Sequence, residues 1–210
     1  MSTVGNHAVG VGRMKLLLLL IAAVCTCASP ARGQSSGLSR ASGVPAWQHL
    51  LNRQLPLFGH RNWVVVADSA YPSQTSPGIK TVYTGEKQLD TVRKVLAVLE
   101  KQKHVRGSVF VDAELPHVPE KFATGIGDFR AGLEDVLEGQ SVTSLPHSEI
   151  IEKLDEAGQT FDVLVLKTDL TLPYTSVFIR LDCGYWSDEA EEQLRAAIAK
   201  ENDSTKRVEP

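Results

Sequence analysis

Apolar residues recur along this chain with two different periods, and the switches between them mark its elements. Residues 62–68, "NWVVVAD", form an unbroken apolar run rich in β-branched side chains, as expected of a strand buried on both faces. Residues 78–85 (GIKTVYTG), 107–113 (GSVFVDA), 161–167 (FDVLVLK) and 176–182 (SVFIRLD) predict further strands. Between them the spacing becomes helical. Trp47, Leu50, Leu51 and Leu55 predict a short helix stopped at Pro56, and Leu89, Val92, Val95, Leu96 and Leu99 make one apolar stripe over residues 86–103. Phe129, Leu133, Val136 and Leu137 mark another helix, residues 150–157 another, and residues 188–200 a last amphipathic one opened by an Asp188…Glu191 capping pattern. Strands alternating with helices of this length predict an α/β three-layer sandwich with a mostly parallel or mixed sheet, in a single domain without internal repeats.

The first 45 residues follow a different pattern. Residues 14–33, "MKLLLLLIAAVCTCASPARG", place a lysine before an apolar run and then small residues, with Ala31 and Gly33 at the positions a signal peptidase reads. The run from Leu16 to Cys27 is shorter than the ~20 residues needed to cross a bilayer. Residues 1–33 are therefore expected to be a signal peptide, residues 34–45 a Ser/Gly-rich flexible leader, and the protein secreted or periplasmic. Cys25 and Cys27 leave with the signal, so Cys183 is the single cysteine of the exported chain and no internal disulfide is expected. About 175 remaining residues suffice for one well-buried core. A net charge of -3 without a basic run gives no reason to propose nucleic acid or an anionic membrane as partner, which favours a small molecule or a protein.

Candidate chemistry gathers around polar residues at the strand ends. His60 precedes the first strand and Asp68 closes it, followed by Pro72; His147 stands before a helix, and Pro173 and Tyr174 lead into the last strand. In order and spacing, Gly59-His60, the buried strand, Asp68-x-x-x-Pro72, the later His147 and the Pro173-Tyr174 pair resemble the D-ribose pyranase and L-fucose mutarotase family. The resemblance covers most of residues 46–186 and is clearest over 57–84 and 147–186. It implies an RbsD-like fold and an isomerase that opens and recloses free monosaccharide rings, interconverting anomers or pyranose and furanose forms, with no cofactor and no metal. It also implies that His60 is the general acid/base and that Asp68, His147, Tyr174 and the residue at position 176 contact the sugar. That chemistry removes a proton from the anomeric hydroxyl and delivers one to the ring oxygen, which suits imidazole. Carboxylate, imidazole and phenol supply the mixed donors and acceptors a polyol requires.

At ~3.3 Å per residue, a strand between His60 and Asp68 holds them roughly 25 Å apart, too far to touch one small sugar together. Either the chain folds back near residues 59–62, or His60 serves the site of a neighbouring copy. The resemblance implies the second, a ring-shaped homo-oligomer with sites at subunit junctions. The chain departs from the family at Ser176, where Pro-Tyr-x-Asn is usual, and in residues 187–210, which extend beyond the family's usual end. A non-catalytic secreted monosaccharide-binding protein of the same fold is the alternative. Each residue also has a plainer role: His60 in a turn, Asp68 in a strand-ending turn, His147 in the first turn of a helix, Tyr174 as a half-buried aromatic, Cys183 as a small residue at a strand end. His104, Asp112, Glu114 and His117 show no recognised ligand spacing and are expected in a surface loop flanked by Pro116 and Pro119, not around a metal.

Overall fold

The β-branched run after Asn62 forms β1 (Trp63–Ala67), and all five of its residues are buried. The computed structural model describes residues 44–206, so the predicted signal peptide 1–33 and nearly all of the leader 34–45 lie outside the described residues. Ahead of β1 stands α1 (Ala46–Gln54), which tightens into one 3-10 turn at Leu55–Leu57. There follow β2 (Ile79–Tyr83), α2 (Gln88–Leu99), β3 (Val105–Asp112), α3 (Ile126–Val136), β4 (Val142–Leu145), α4 (His147–Thr160), β5 (Val163–Lys167), β6 (Val177–Cys183) and α5 (Asp188–Lys206).

The six strands form one sheet in the order β2-β5-β1-β6-β3-β4. Strand β6 runs antiparallel to both neighbours, β1 and β3, and the other pairings are parallel. The sheet is therefore mixed. Residues 168–176, which join β5 to β6, are too few for the crossover a parallel return requires, so β6 comes back antiparallel. Along β1, Val64 and Val66 face a core built with α1, α2 and α3, while Trp63, Val65 and Ala67 face a second core with Ile150 and Leu154 of α4. These are the three layers the strand and helix periods predict, and all described residues belong to one compact unit.

The structure differs from the sequence reading at several boundaries. Strand β4 was not predicted, because an edge strand whose Val142, Thr143 and Ser144 are all exposed carries no apolar pattern. Helix α2 ends at Leu99, where the Gln102 side-chain amide donates to the Val98 carbonyl (3.1 Å) and closes the last turn. The cap of α5 is Ser187, not Asp188: Ser187 Oγ accepts from the Ala190 N–H at 3.1 Å, and Asp188 instead pairs with Arg106 at 2.8 Å. Cys183 ends β6 as a free thiol. Among the described residues, no helix is long and apolar enough to cross a membrane.

Candidate active site

Strands β1, β3 and β5 all end at one edge of the sheet, and antiparallel β6 begins there, so residues far apart in sequence meet at that edge. In an α/β sheet this is where ligands bind. Asp68 follows β1 directly. Its Oδ1 accepts from the Ala70 N–H at 2.8 Å, an Asx turn, while Oδ2 accepts from the Ser176 hydroxyl at 3.1 Å. Ser176 is buried, and its hydroxyl is committed to Asp68.

His147 is the first residue of α4. Its N–H donates to both oxygens of Glu114 (3.1 and 3.0 Å), a carboxylate placed against the positive end of the helix. Its Nδ1 lies 3.0 Å from Asp112 Oδ1, whose side chain is wholly buried, whereas the imidazole is 40% exposed. The second oxygen, Asp112 Oδ2, is buried without a hydrogen-bond partner. Burial pushes the Asp112 carboxyl above the usual carboxylate range; the His147 bond opposes this, and the charges of Glu114 and Asp68 add to it. Tyr174 meets His147 edge to face, with ring centroids 5.5 Å apart. Its φ of +57° is left-handed, strained for a non-glycine residue, so the surrounding loop must hold it. That hold comes from a buried polar network beneath residues 168–176: the Gln88 amide donates to the Thr175 carbonyl, Gln88 Oε1 accepts from the Thr168 hydroxyl at 2.8 Å, and the Thr175 hydroxyl donates to the Leu172 carbonyl at 2.8 Å. Tyr71 completes the floor, its phenol pushed up to about 12 mainly by burial and further by Asp155, Asp112 and Asp68.

His60 stands at the opposite edge. It occupies the turn before β1, where the Gly59 N–H donates to Asn62 Oδ1 at 2.7 Å, and its Nδ1 lies 3.6 Å from Asp182 Oδ1 near the end of β6. Asp182 also accepts from Ser108 (2.7 Å) and Arg180 (3.1 Å). Because β6 carries Ser176 before its first residue and Asp182 near its last, the chain does not fold back to bring His60 onto Asp68. Asp68, His147, Tyr174 and Ser176 are brought together within one chain; His60 is not among them.

Asp112 and Glu114 are the residues whose role was not read from the sequence, where they were placed in a loop with His104 and His117. His104 instead contacts the Leu55 carbonyl at 3.0 Å, and the two carboxylates belong to His147. The available signal was positional: Asp112 closes buried β3 as Asp68 closes β1.

Asp112 predicts a pH-dependent stability. A carboxyl whose titration is raised in the fold contributes fully below the ordinary carboxylate range, and that contribution is lost as pH rises through the raised value. Asp112→Asn, which keeps an acceptor for His147, should therefore gain on the wild type by about 1–3 kcal/mol between acid and neutral pH, the scale of one unsatisfied buried polar group. Melting temperatures of both proteins across pH 4 to 8 test this, and a constant difference would contradict it.

No protein-family model and no curated protein matches the sequence. Solved structures do. The chain is similar to RbsD from Bacillus subtilis complexed with D-ribose, at 22% identity and TM-score 0.42 over 64% of this chain and 91% of that one. It is similar to the fucose mutarotase from Streptococcus pneumoniae in complex with L-fucose, at 18% identity and TM-score 0.45 over 67% and 97%. FucU from Bifidobacterium longum matches at 17% identity and TM-score 0.44 over 64% and 94%.

Proposed function

We propose that this protein is a monosaccharide mutarotase or pyranase, opening and reclosing the ring of a free sugar by acid–base catalysis. The observation that carries the reading is His147, whose Nδ1 is fixed by the buried Asp112 and whose exposed ring, edge to face with Tyr174, leaves Nε2 for proton transfer. Ring opening takes a proton from the anomeric O1–H, breaks C1–O5 as the carbonyl forms, and returns a proton to O5; closing on the other carbonyl face, or through another hydroxyl, gives the second form. Two groups must exchange protons, and the chain carries two imidazole–carboxylate pairs, His147–Asp112 and His60–Asp182, at opposite edges of the sheet. They meet only if one copy sets its His60 edge against the Asp68–His147 edge of the next, so the active unit proposed is a homo-oligomer with His60 as acid/base across the junction and Asp68, His147 and Tyr174 on the sugar. Ser176 positions Asp68.

Proton NMR saturation transfer between ring forms of D-ribose, L-fucose, D-galactose and D-glucose tests this. At least one sugar should exchange faster with the protein than without it. Unchanged exchange for all four, with the protein folded, would end the enzyme reading.

A further inference from the structure

The segment that follows β6 does not trail away from the sheet; it builds a wall beside His60. Gly184 makes the first turn of that wall. A Cβ there would lie 2.8 Å from the Lys103 carbonyl oxygen and 2.9 Å from the Val105 nitrogen, so only glycine passes this close to the start of β3, and its N–H donates to the His104 carbonyl at 3.0 Å. Tyr185 and Trp186 leave from this pinned point. Ser187 then caps α5, the Arg106–Asp188 pair ties its first turn to β3, and Trp186 Nε1 donates to Glu191 Oε2 at 2.9 Å. The result is a cavity of about 470 Å³ between the sheet edge and α5, lined by His60, Arg106, Asp182, Trp186, Asp188 and Glu191 among others.

We infer that Trp186 is a sugar-stacking residue, and that this cavity holds a free, unphosphorylated monosaccharide against His60. The inference deepens the proposed function and rests on it for the identity of His60. A monosaccharide ring has one face of C–H groups and a rim of hydroxyls; the indole supplies an apolar face, with its N–H already engaged by Glu191, and the imidazole, guanidinium and carboxylates supply donors and acceptors for the rim. The volume lies within the range of small-molecule sites. Charge sets the class of sugar. Three carboxylates line the cavity against one guanidinium, Arg106, which is itself paired with Asp188, so a phosphate would meet repulsion without an unengaged cation.

Trp186 is also its own reporter, because it is 44% exposed while Trp47 and Trp63 are 3% and 4% exposed. Titrating D-ribose and L-fucose into the full protein should shift tryptophan emission saturably for the sugar that exchanges, and D-ribose 5-phosphate should not. Trp186→Phe should abolish the emission change yet keep half-saturation of ring exchange within about threefold, since an aromatic face remains. Trp186→Ala should raise half-saturation about tenfold and lower the saturated rate much less. Ring exchange that saturates without moving the emission, an Ala variant with unchanged half-saturation, or equal response to the phosphate would overturn the inference. Saturable emission change without any ring exchange would sustain it while sinking the enzyme reading; neither signal for any sugar would remove both.

Discussion

Under the proposed function, ring exchange should fall by about 10²- to 10⁴-fold in His60→Ala and equally in His147→Ala, the scale of a lost general acid or base, and a mixture of the two inactive variants should work again. Recovery is the discriminating part. If each site takes its His60 from one copy and its His147 from the next, subunits of the two variants dissociated and reassembled at equal concentration pair both intact halves at about one junction in four, restoring about a quarter of wild-type activity. The geometry behind this is the placement of the two pairs at opposite ends of β6, with Ser176 bonded to Asp68 at one end and Asp182 beside His60 at the other. Saturation transfer on the mixture measures it. No recovery, with both variants assembled normally, would place the complete chemistry within one chain.

Gly78→Ala should unfold the protein or cost it on the order of 3–5 kcal/mol, at the extreme of single substitutions. A Cβ at Gly78 would stand 2.2 Å from the Phe161 carbonyl oxygen and 2.8 Å from the Gly158 carbonyl oxygen. Both obstacles are backbone, so no rotamer change relieves them. The same segment is tied by the Gly78 N–H to the Gly158 carbonyl (3.1 Å) and by the Val163 N–H to the Gly78 carbonyl (2.8 Å), so displacing it disturbs the start of β2, the start of β5 and the end of α4 together. Gly59→Ala is the control: nothing lies within 4 Å of the added methyl, and its stability should stay within about 0.5 kcal/mol of wild type. Thermal or urea unfolding of the two variants side by side decides the matter; equal midpoints would mean that the β2–α4 contact yields easily.

Burial explains which elements were legible beforehand. Strands β1, β5 and β6 are packed on both faces, so their runs of valine, isoleucine and leucine stand out without any partner being known. Strand β4 pairs only with β3 and exposes its polar residues, and its existence depends on a neighbour that the local sequence does not name. The site divides in the same way. The interval from His60 to Asp68 can be converted to length because one extended strand joins them. The bond between Asp112 and His147 spans 35 residues and arises only when β3 and α4 meet, so Asp112 read as an ordinary loop acid. The Gln88–Thr168 contact under the Tyr174 loop is of the same kind, spanning 80 residues through polar side chains with no periodicity to reveal them.

The interior position of β6 has a mechanical consequence. It is hydrogen-bonded on both sides, along Trp63 to Val66 on one flank and Val105 to Val111 on the other, so its amides should be among the slowest in the molecule to exchange with solvent. It acts as a fixed ruler between the two edges. Under the proposed function, stacked copies would repeat that length without stretch, and a larger sugar would have to be admitted by the loops at either end, residues 168–176 and 184–187.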